Sequence, residues 1–313
     1  MLSTLGPQVA DESGLKRLCR LQQSWYRAER LGNPAYGPHK PGGRVVGSAL
    51  LEGELTGDNF ISQAVLAYVR EKLEEKRTRN PDLTIERFRL FNNMLSSQPM
   101  CFNLFSDLRS GVLRSDDAAA RIVRAMFEDV PIATVDAIEV ENLPQPLAEY
   151  IKDKTAFDAS IHFTDPAGAP GIVTIETKYT DALGKGSASE VKHQVKLMED
   201  WELCTPAGLD HFRCTGIPQI ARNLLLTIAV QKRHGLSFAT NFVVGLQEDA
   251  SVSKAVAALR ARLAAPYQER VQVLPLEGLV MRARKCSSGV YDDVFQRFWE
   301  RYLDFDRARA LLR

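Results

Sequence analysis

The sequence predicts an α/β protein in which helices flank a mixed central β-sheet, with a helical addition at the N terminus. Two observations predict this class. The hydrophobic period changes from helical to two near residue 131, and the strand candidates first follow one another and later alternate with helices. A meander followed by alternation is typical of a mixed sheet between helical layers.

The composition is that of a globular protein, with 45% hydrophobic and 25% charged residues. The net charge of +1 neither favours nor excludes a polyanionic partner, so a nucleic-acid surface would depend on how the charges are arranged. Five scattered cysteines without a C-x-x-C pair indicate reduced thiols. The N-terminal residues lack signal-peptide features, and the apolar run Asn223–Val230 is too short for a bilayer. We therefore expect a cytoplasmic protein with no membrane partner.

No break in composition divides the chain, and we expect a single α/β domain over residues 1–313. Within it, residues 1–48 form an N-terminal helix and a Gly/Pro-rich loop. Residues 49–130 form a helical layer, and residues 131–313 form the sheet-containing core that carries the candidate catalytic residues.

Helix periodicity and end signals place the first helices. Apolar spacing predicts a helix over Leu15–Leu31 that stops at Gly32, and a loop follows over Gly32–Gly43. A second helix begins near Asp58, a candidate N-cap. Further helices are predicted over Ser96–Leu108, Arg114–Phe127, Val191–Trp201 (with Ser187 and Glu190 in capping-box spacing), Gly216–His234, Val252–Leu263 and from about Asp292. Strands are predicted over Ala133–Val140, Thr155–Phe163, Gly171–Tyr179 and Ala239–Leu246, and in RVQVLPL at 270–276.

The hairpin formed by the second and third strands carries the candidate chemistry. Alternation in TAFDASIHF leaves Asp158 on the polar face, and alternation in GIVTIETKY leaves Glu176 and Lys178 on its polar face. If the apolar faces share one core, these three residues share the other face. Asp158 then lies beside Glu176 or Lys178, because a slip of one residue would misplace the apolar side chains.

Two adjacent carboxylates repel, and a divalent cation relieves that repulsion. Mg²⁺ prefers oxygen ligands, which Asp158, Glu176 and the backbone carbonyl of Thr177 could supply. Lys178 could orient a nucleophilic water or stabilise negative charge developing on phosphorus. These are the parts needed for phosphodiester hydrolysis. A solvated strand face is nevertheless the commoner explanation of a Glu-x-Lys pair taken alone.

Longer blocks add a resemblance. TAFDASI and GIVTIETKYTD resemble the Asp and Glu-x-Lys core of the PD-(D/E)XK nuclease superfamily. Four blocks in order resemble a group of bacterial restriction-endonuclease-like proteins: NNMLSSQPMCFNLF (Asn92–Phe105), DKTAFD (Asp153–Asp158), IETKYTD (Ile175–Asp181) and QIARNLLL (Gln219–Leu226). The blocks cover about half the chain and are far more specific than the short motif alone.

The resemblance implies roles for individual residues. Asp158 and Glu176 would be metal ligands, and Lys178 would be the catalytic lysine. Glu141 lies where the group often has an acidic residue and could be a further ligand. Gln219 would hold nucleic acid or a water, although an ordinary amide in the first turn of a helix explains it equally well. The implied fold is a restriction-endonuclease-like core with a four-stranded mixed sheet.

Other candidate sites are weaker. Cys204, His211 and Cys214 are close in sequence but match no standard zinc spacing, so we expect ordinary buried thiols. The glycine turn Leu183–Ser187 could touch a phosphate or form a lip beside the site. His162 is expected to be a solvated surface residue. The basic run within Glu74–Asn80 could contact phosphates, but a solvated helix face is the simpler interpretation.

The sequence thus favours a nuclease that depends on Mg²⁺, for which Mn²⁺ could substitute, and that hydrolyses DNA, with RNA not excluded. A role in restriction or anti-phage defence is expected, and a homodimer would suit the cutting of both strands. The alternative is a binding or regulatory module that keeps the nuclease fold without cleaving. A third possibility is a structural or interaction protein in which the charged residues of the hairpin are only solvated surface side chains. Such a protein would not bind Mg²⁺.

Overall fold

The computed structural model describes residues 2–12, 14–181 and 190–312. The glycine turn Leu183–Ser187 and the capping residue Ser187 lie outside these residues. In the described chain, one mixed sheet has the strand order β1-β2-β3-β4-β5. Its strands are β1 (Thr134–Asn142), β2 (Phe157–Thr164), β3 (Pro170–Thr177), β4 (Phe238–Gly245) and β5 (Val271–Pro275).

Helices surround this sheet on both faces. Those that precede it in the chain are α1 (Gly14–Trp25), α2 (Gly53–Thr56), α3 (Gln63–Thr78), α4 (Arg87–Asn92), α5 (Ser97–Leu113) and α6 (Asp117–Met126). Those that follow β3 are α7 (Val191–Asp200), α8 (Pro206–Thr215), α9 (Gln219–His234), α10 (Ala250–Arg260), α11 (Ala265–Gln268), α12 (Leu276–Cys286), α13 (Val290–Tyr302) and α14 (Asp306–Leu311). Short 3-10 turns cover Leu2–Leu5 and Leu147–Glu149, and a π-helical segment covers Tyr26–Arg30.

Strand pairing confirms the predicted mixed sheet. The first three strands pair antiparallel, β3 pairs parallel with β4, and β4 pairs parallel with β5. The sheet has five strands in the described residues, one more than the resemblance implied. Because β2 runs opposite to its neighbours, its first residues lie at the same sheet edge as the last residues of β1, β3 and β4.

Two apolar cores lie on opposite faces of the sheet. The larger one packs Ile161, Ile175 and their neighbours against helices that include α1, α3, α5, α6, α12 and α13. The smaller one packs Ile172 and Val243 against α7, α8, α9 and α10. Since β3 is buried on both faces, its polar residues are not solvent-exposed surface side chains.

Several helix ends differ from the predictions because tertiary contacts decide them. Helix α3 begins after Ser62, whose Oγ accepts a hydrogen bond from Val65 N, rather than at Asp58. Asp58 instead accepts a hydrogen bond from the side chain of Asn33. The first helix is α-helical only to Trp25 and continues as a π-helical segment.

Two helices of ten or more residues, α8 and α12, have no counterpart in the predictions, and neither do the short helices α2, α4 and α11. Helix α8 begins after Thr205, which caps it, and has proline in its first turn. Helix α12 follows β5 directly, and the sequence around Pro275 predicts only the strand.

Candidate active site

Three carboxylates lie side by side on three neighbouring strands. In the β2–β3 register Ala159 pairs with Ile175, which places Asp158 opposite Glu176. In the β1–β2 register Glu141 and Asp158 lie between two adjacent residue pairs, Val140 with Ala159 and Asn142 with Phe157. Glu141, Asp158 and Glu176, here called the carboxylate row, thus cross the sheet edge where α5 and α9 begin.

The two glutamates of the carboxylate row are buried, and Asp158 between them is partly buried. Glu141 is 3% exposed and Glu176 is 1% exposed. Burial and the charge of Asp158 together raise the pKa of both Glu141 and Glu176 above the usual range of a glutamate. Burial also raises the pKa of Asp158, although the nearby Lys178 ammonium acts against it. A row of acids with raised pKa values favours the binding of protons or cations.

Lys178 follows β3 directly and is fixed by its backbone. Its N–H donates a hydrogen bond to Val244 O at 2.7 Å, which extends the parallel pairing by one residue. Its Nζ lies 2.5 Å from Glu176 Oε1 and donates to Gln219 Oε1 at 3.1 Å. Burial acts to lower the pKa of Lys178, but the carboxylates of Glu176 and Asp158 outweigh it and raise that pKa. The side chain is therefore a cation held within the carboxylate row.

Hydrogen bonds fix the orientation of Asp158. Thr177 N and Thr177 Oγ1 both donate to Asp158 Oδ2, at 2.7 and 2.8 Å. The Cys101 thiol lies 3.3 Å from the backbone oxygen of Asp158. Burial raises the pKa of Cys101 well above its usual range, so this thiol is a neutral packing group.

Two amides that sequence reasoning did not single out hold the outer carboxylates. Gln98, from the first turn of α5, donates from Nε2 to Glu141 Oε1 at 2.8 Å. Asn223, from α9, donates from Nδ2 to Glu176 Oε2. The carbonyl oxygen of each amide, Gln98 Oε1 and Asn223 Oδ1, is buried without a hydrogen-bond partner among the described residues.

The sequence does contain a signal that places Asn223 at the site. Gln219 and Asn223 are four residues apart, so they lie on one face of α9 and both turn toward β3. Gln98 has no such local signal, because α5 reaches the carboxylate row only through the tertiary fold.

Glu141 has an unusual backbone. Its φ of 50° lies in the left-handed region, which costs a non-glycine residue about 1–3 kcal/mol. Strained residues of this kind tend to persist at functional sites. The hydrogen bond from Gln98 holds the Glu141 side chain in the row.

The carboxylate row opens into a cleft of about 760 Å³. The described charged residues that line it are six acids (Glu141, Asp153, Asp158, Glu176, Asp181 and Glu190) and five bases (Arg89, Lys152, Lys154, Lys178 and Arg222). A phosphodiester entering this cleft therefore meets a slight excess of acids, and a bound cation would offset that excess.

Asp181 ties the end of β3 to the start of α5. Its Oδ2 accepts a hydrogen bond from Ser97 N at 2.8 Å, and its Oδ1 lies 2.7 Å from Arg89 Nη2. Ser96 caps α5, with its hydroxyl accepting from Gln98 N. These contacts explain why the predicted blocks around Ser96 and Asp181 meet at one site.

The donor set suits a hard divalent ion, since carboxylate oxygens are the ligands that Mg²⁺ prefers. Within the described ranges, however, no three or more His, Cys, Asp or Glu side chains are arranged to hold a metal ion. Glu176 is paired with Lys178 instead, and Asp158 with Thr177. Binding an ion would therefore require these side chains to turn toward one another.

The weaker candidates lie elsewhere. His162 pairs with Ile172, four residues along β2 from Asp158, and is partly buried rather than solvated. Cys204 is buried as expected, but Cys214 is exposed, so the expectation of a buried thiol was wrong there. Helix α8 is amphipathic and turns Cys214 outward.

The fold and the site define the class: an α/β protein whose mixed sheet carries an acidic row and a lysine at one edge, as in restriction-endonuclease-like folds. The chain belongs to the PD-(D/E)XK nuclease superfamily, whose family model matches residues 10–304. Searches of the curated proteins and of the solved structures found no match. In the described part of the chain, no helix is both long enough and apolar enough to cross a membrane.

Proposed function

We propose that this protein is a Mg²⁺-dependent nuclease that hydrolyses DNA phosphodiester bonds, with Mn²⁺ able to replace Mg²⁺. One observation carries the proposal. Asp158, Glu176 and Lys178 lie together at a sheet edge inside a cleft, in a chain that belongs to a nuclease superfamily. Burying several carboxylates together costs folding free energy, and a bound cation would offset that cost.

The carboxylates would hold the cation. Asp158 and Glu176 would supply side-chain oxygens, Thr177 its backbone carbonyl, and Glu141 a further carboxylate. When bound, a divalent cation offers positive charge that stabilises the negative charge on a phosphate. Gln98 and Asn223 support this assignment, because amide donors on carboxylates favour the ionised, ligating form.

Lys178 would act on the reacting phosphate. Its raised pKa keeps it protonated at neutral pH, so Nζ can donate a hydrogen bond to a phosphate oxygen or to the attacking water. Gln219 accepts a hydrogen bond from Nζ and would hold the ammonium in place while Glu176 turns toward the cation. The exposed Lys152 and Lys154 at the rim of the cleft would contact neighbouring phosphates.

The test is a cleavage panel with plasmid DNA, single-stranded DNA and RNA, in Mg²⁺, in Mn²⁺ and in EDTA. We expect DNA products in either metal and none in EDTA. Glu176→Gln and Lys178→Met should abolish cleavage. Thr84→Ala, a cleft-lining change outside the carboxylate row, should leave it intact. Cleavage that survives EDTA or both site variants would contradict the proposal.

The same panel separates the alternative. Nucleic-acid binding without a product in any metal would instead favour a module that keeps the nuclease fold and does not cleave. A role in restriction or in defence against invading DNA, a homodimer and a cytoplasmic location stay predictions.

A further inference from the structure

A second cavity lies beside the cleft, between α3 and the segment that leads into α4. It is a groove of about 570 Å³. Its described lining includes four cationic side chains, Arg70, Lys76, Arg77 and Arg87, against a single acid, Glu74. This excess of positive charge contrasts with the nearly balanced net charge of the whole chain, which is +1. The groove therefore favours an anionic partner.

Helix geometry gathers part of this charge. Arg70, Glu74 and Arg77 are separated by four and three residues, so they lie on one face of α3. Lys76 donates from Nζ to Ile85 O at 2.6 Å, which holds the wall that leads into α4 against α3. The groove is thus a built feature of the fold and not a chance gathering of mobile side chains.

The arginines of the groove can exchange their partners. Arg77 pairs with Glu74, and Arg87 pairs with Glu54, but all four side chains are exposed. Exposed ion pairs of this kind contribute about 0–1 kcal/mol, so exchange for a phosphate costs little. Arg70 is exposed and has no ion-pair partner within the ranges that the structure describes.

The groove and the cleft share a wall, the segment Thr84–Arg89. Thr84 and Arg89 line the cleft, whereas Ile85 and Arg87 line the groove. Arg89 is in turn tied to Asp181 at the end of β3. A chain that leaves the carboxylate row along this wall therefore reaches the arginines of the groove directly.

We propose that this groove is a second contact surface for the sugar–phosphate backbone of the nucleic acid whose scissile bond lies in the cleft. The inference rests on the proposed function. Among the described residues that line it, the groove has no aromatic side chain on which a base could stack. It therefore contacts phosphates independently of sequence and sets the position of the substrate. Substrates long enough to span both cavities gain affinity over short ones.

The test compares the triple variant R70Q/R77Q/R87Q with a matched control, R17Q/R121Q/K285Q. Glutamine keeps helix propensity and most of the side-chain stem. The control also removes three exposed cations, and these line neither cavity. Fluorescence anisotropy in EDTA measures the binding of a labelled 30-base-pair DNA duplex and of a 30-nucleotide RNA across a salt series.

For the triple variant we expect affinity for the duplex to fall at least tenfold at low salt. The slope of log K against log salt should fall by about 2 to 3, since each lost phosphate contact removes about 0.9. The control should bind within twofold of wild type. An unchanged slope in the triple variant, or an equal loss in the control, would overturn the proposal. Loss with both DNA and RNA supports recognition of the shared backbone, and loss with DNA alone supports a DNA-specific surface.

A cleavage arm separates this inference from the proposed function. In Mg²⁺ the triple variant should show a raised KM on the 30-base-pair duplex with kcat unchanged, and no change on a 6-base-pair duplex that fills only the cleft. If the wild-type protein binds nucleic acid through the groove but cleaves none, the proposed function is wrong and the groove is still a nucleic-acid contact surface. If the triple variant cleaves the 30-base-pair duplex with an unchanged KM, the groove does not contact the substrate, and the proposed function stands.

Discussion

Lys178 and Glu176 form a buried ion pair at the end of the central strand, with Nζ 2.5 Å from Oε1 and the side chains 6% and 1% exposed. Glu176 lies in β3 and Lys178 follows the strand directly, two residues later, so both side chains reach the same face. Each partner stabilises the charge of the other where water cannot. This contact couples the stability of the protein to its proposed chemistry.

Replacing Lys178 with methionine should remove both contributions. We expect cleavage to fall at least 100-fold, the usual effect of losing one preorganised donor to a developing negative charge. Stability should also fall, by roughly 3–5 kcal/mol, because Glu176 is left buried without its counter-charge. Initial cleavage rates and urea unfolding followed by circular dichroism measure the two effects.

A double variant is the control for this prediction. Glu176→Gln combined with Lys178→Met removes both charges, so it should recover most of the lost stability and none of the cleavage. A double variant as unstable as Lys178→Met alone would show that the ion pair is not the source of the loss.

Divalent metal should stabilise the protein even without a substrate. The carboxylate row carries like charges in a desolvated edge of the sheet, and a bound cation would relieve their repulsion. At 100 times its Kd, a ligand specific to the folded state adds about 2.7 kcal/mol. We expect Tm to rise by a few degrees in Mg²⁺ and not in NaCl of matched ionic strength. The increase should be absent in Asp158→Asn, and an equal increase in that variant would place the ion elsewhere.

Asn223 should act as a positioning residue for Glu176. Its Nδ2 donates to Glu176 Oε2 from α9. Among the described residues, this is its one hydrogen bond to the carboxylate row. Asn223→Ala should weaken Mg²⁺ binding by about 10–100-fold, as measured by calorimetry without nucleic acid, because outer partners orient metal ligands. The matched control is Gln231→Ala, which removes an amide about two turns further along α9 that donates to Leu236 O instead. This control should bind Mg²⁺ as wild type does. Equal loss in both variants would indicate damage to the helix.

The faces of the hairpin could be predicted because strand geometry is local. Side chains alternate every residue, so Asp158, Glu176 and Lys178 had to share a face once the register was set. The Glu-x-Lys spacing could not show that this face is buried. Helix α9 covers it, and that contact joins residues about 50 positions apart, such as Thr174 and Thr227.

The same limit explains the residues and elements that were missed. Gln98 reaches Glu141 only because α5 packs on the sheet, and no spacing in the sequence encodes that contact. The end of β5 at Pro275 runs directly into α12, so no turn signal separated the two elements. Local patterns therefore predicted the central acids and lysine, and the tertiary fold supplied their supporting residues.

Glu141→Gln should stabilise the metal-free protein. Glu141 is buried beside Asp158, and both effects disfavour its charged form. Glutamine keeps an oxygen to accept the Gln98 hydrogen bond and removes one charge from the row. We expect the free energy of unfolding in EDTA to rise by at least about 1 kcal/mol, the equivalent of one pKa unit. A decrease would show that the Glu141 charge is compensated by groups other than Gln98.

Arg301 should report whether the N-terminal residues fold together with the core as a single domain. It is fully buried on α13, its Nε donates to Gln23 Oε1 of α1 at 3.2 Å, and its Nη1 donates to Asn59 O at 3.0 Å. Arg301→Met removes the donors to two buried side-chain oxygens, Gln23 Oε1 and Asn59 Oδ1. Each loss costs about 1–3 kcal/mol, so we expect a loss of about 2–6 kcal/mol. Arg297→Gln, an exposed change on the same helix, should cost no more than about 1 kcal/mol.

Because Arg301 joins distant parts of the chain, a single domain predicts one urea transition that shifts as a whole in Arg301→Met. Two separated transitions, only one of which shifts, would contradict the prediction.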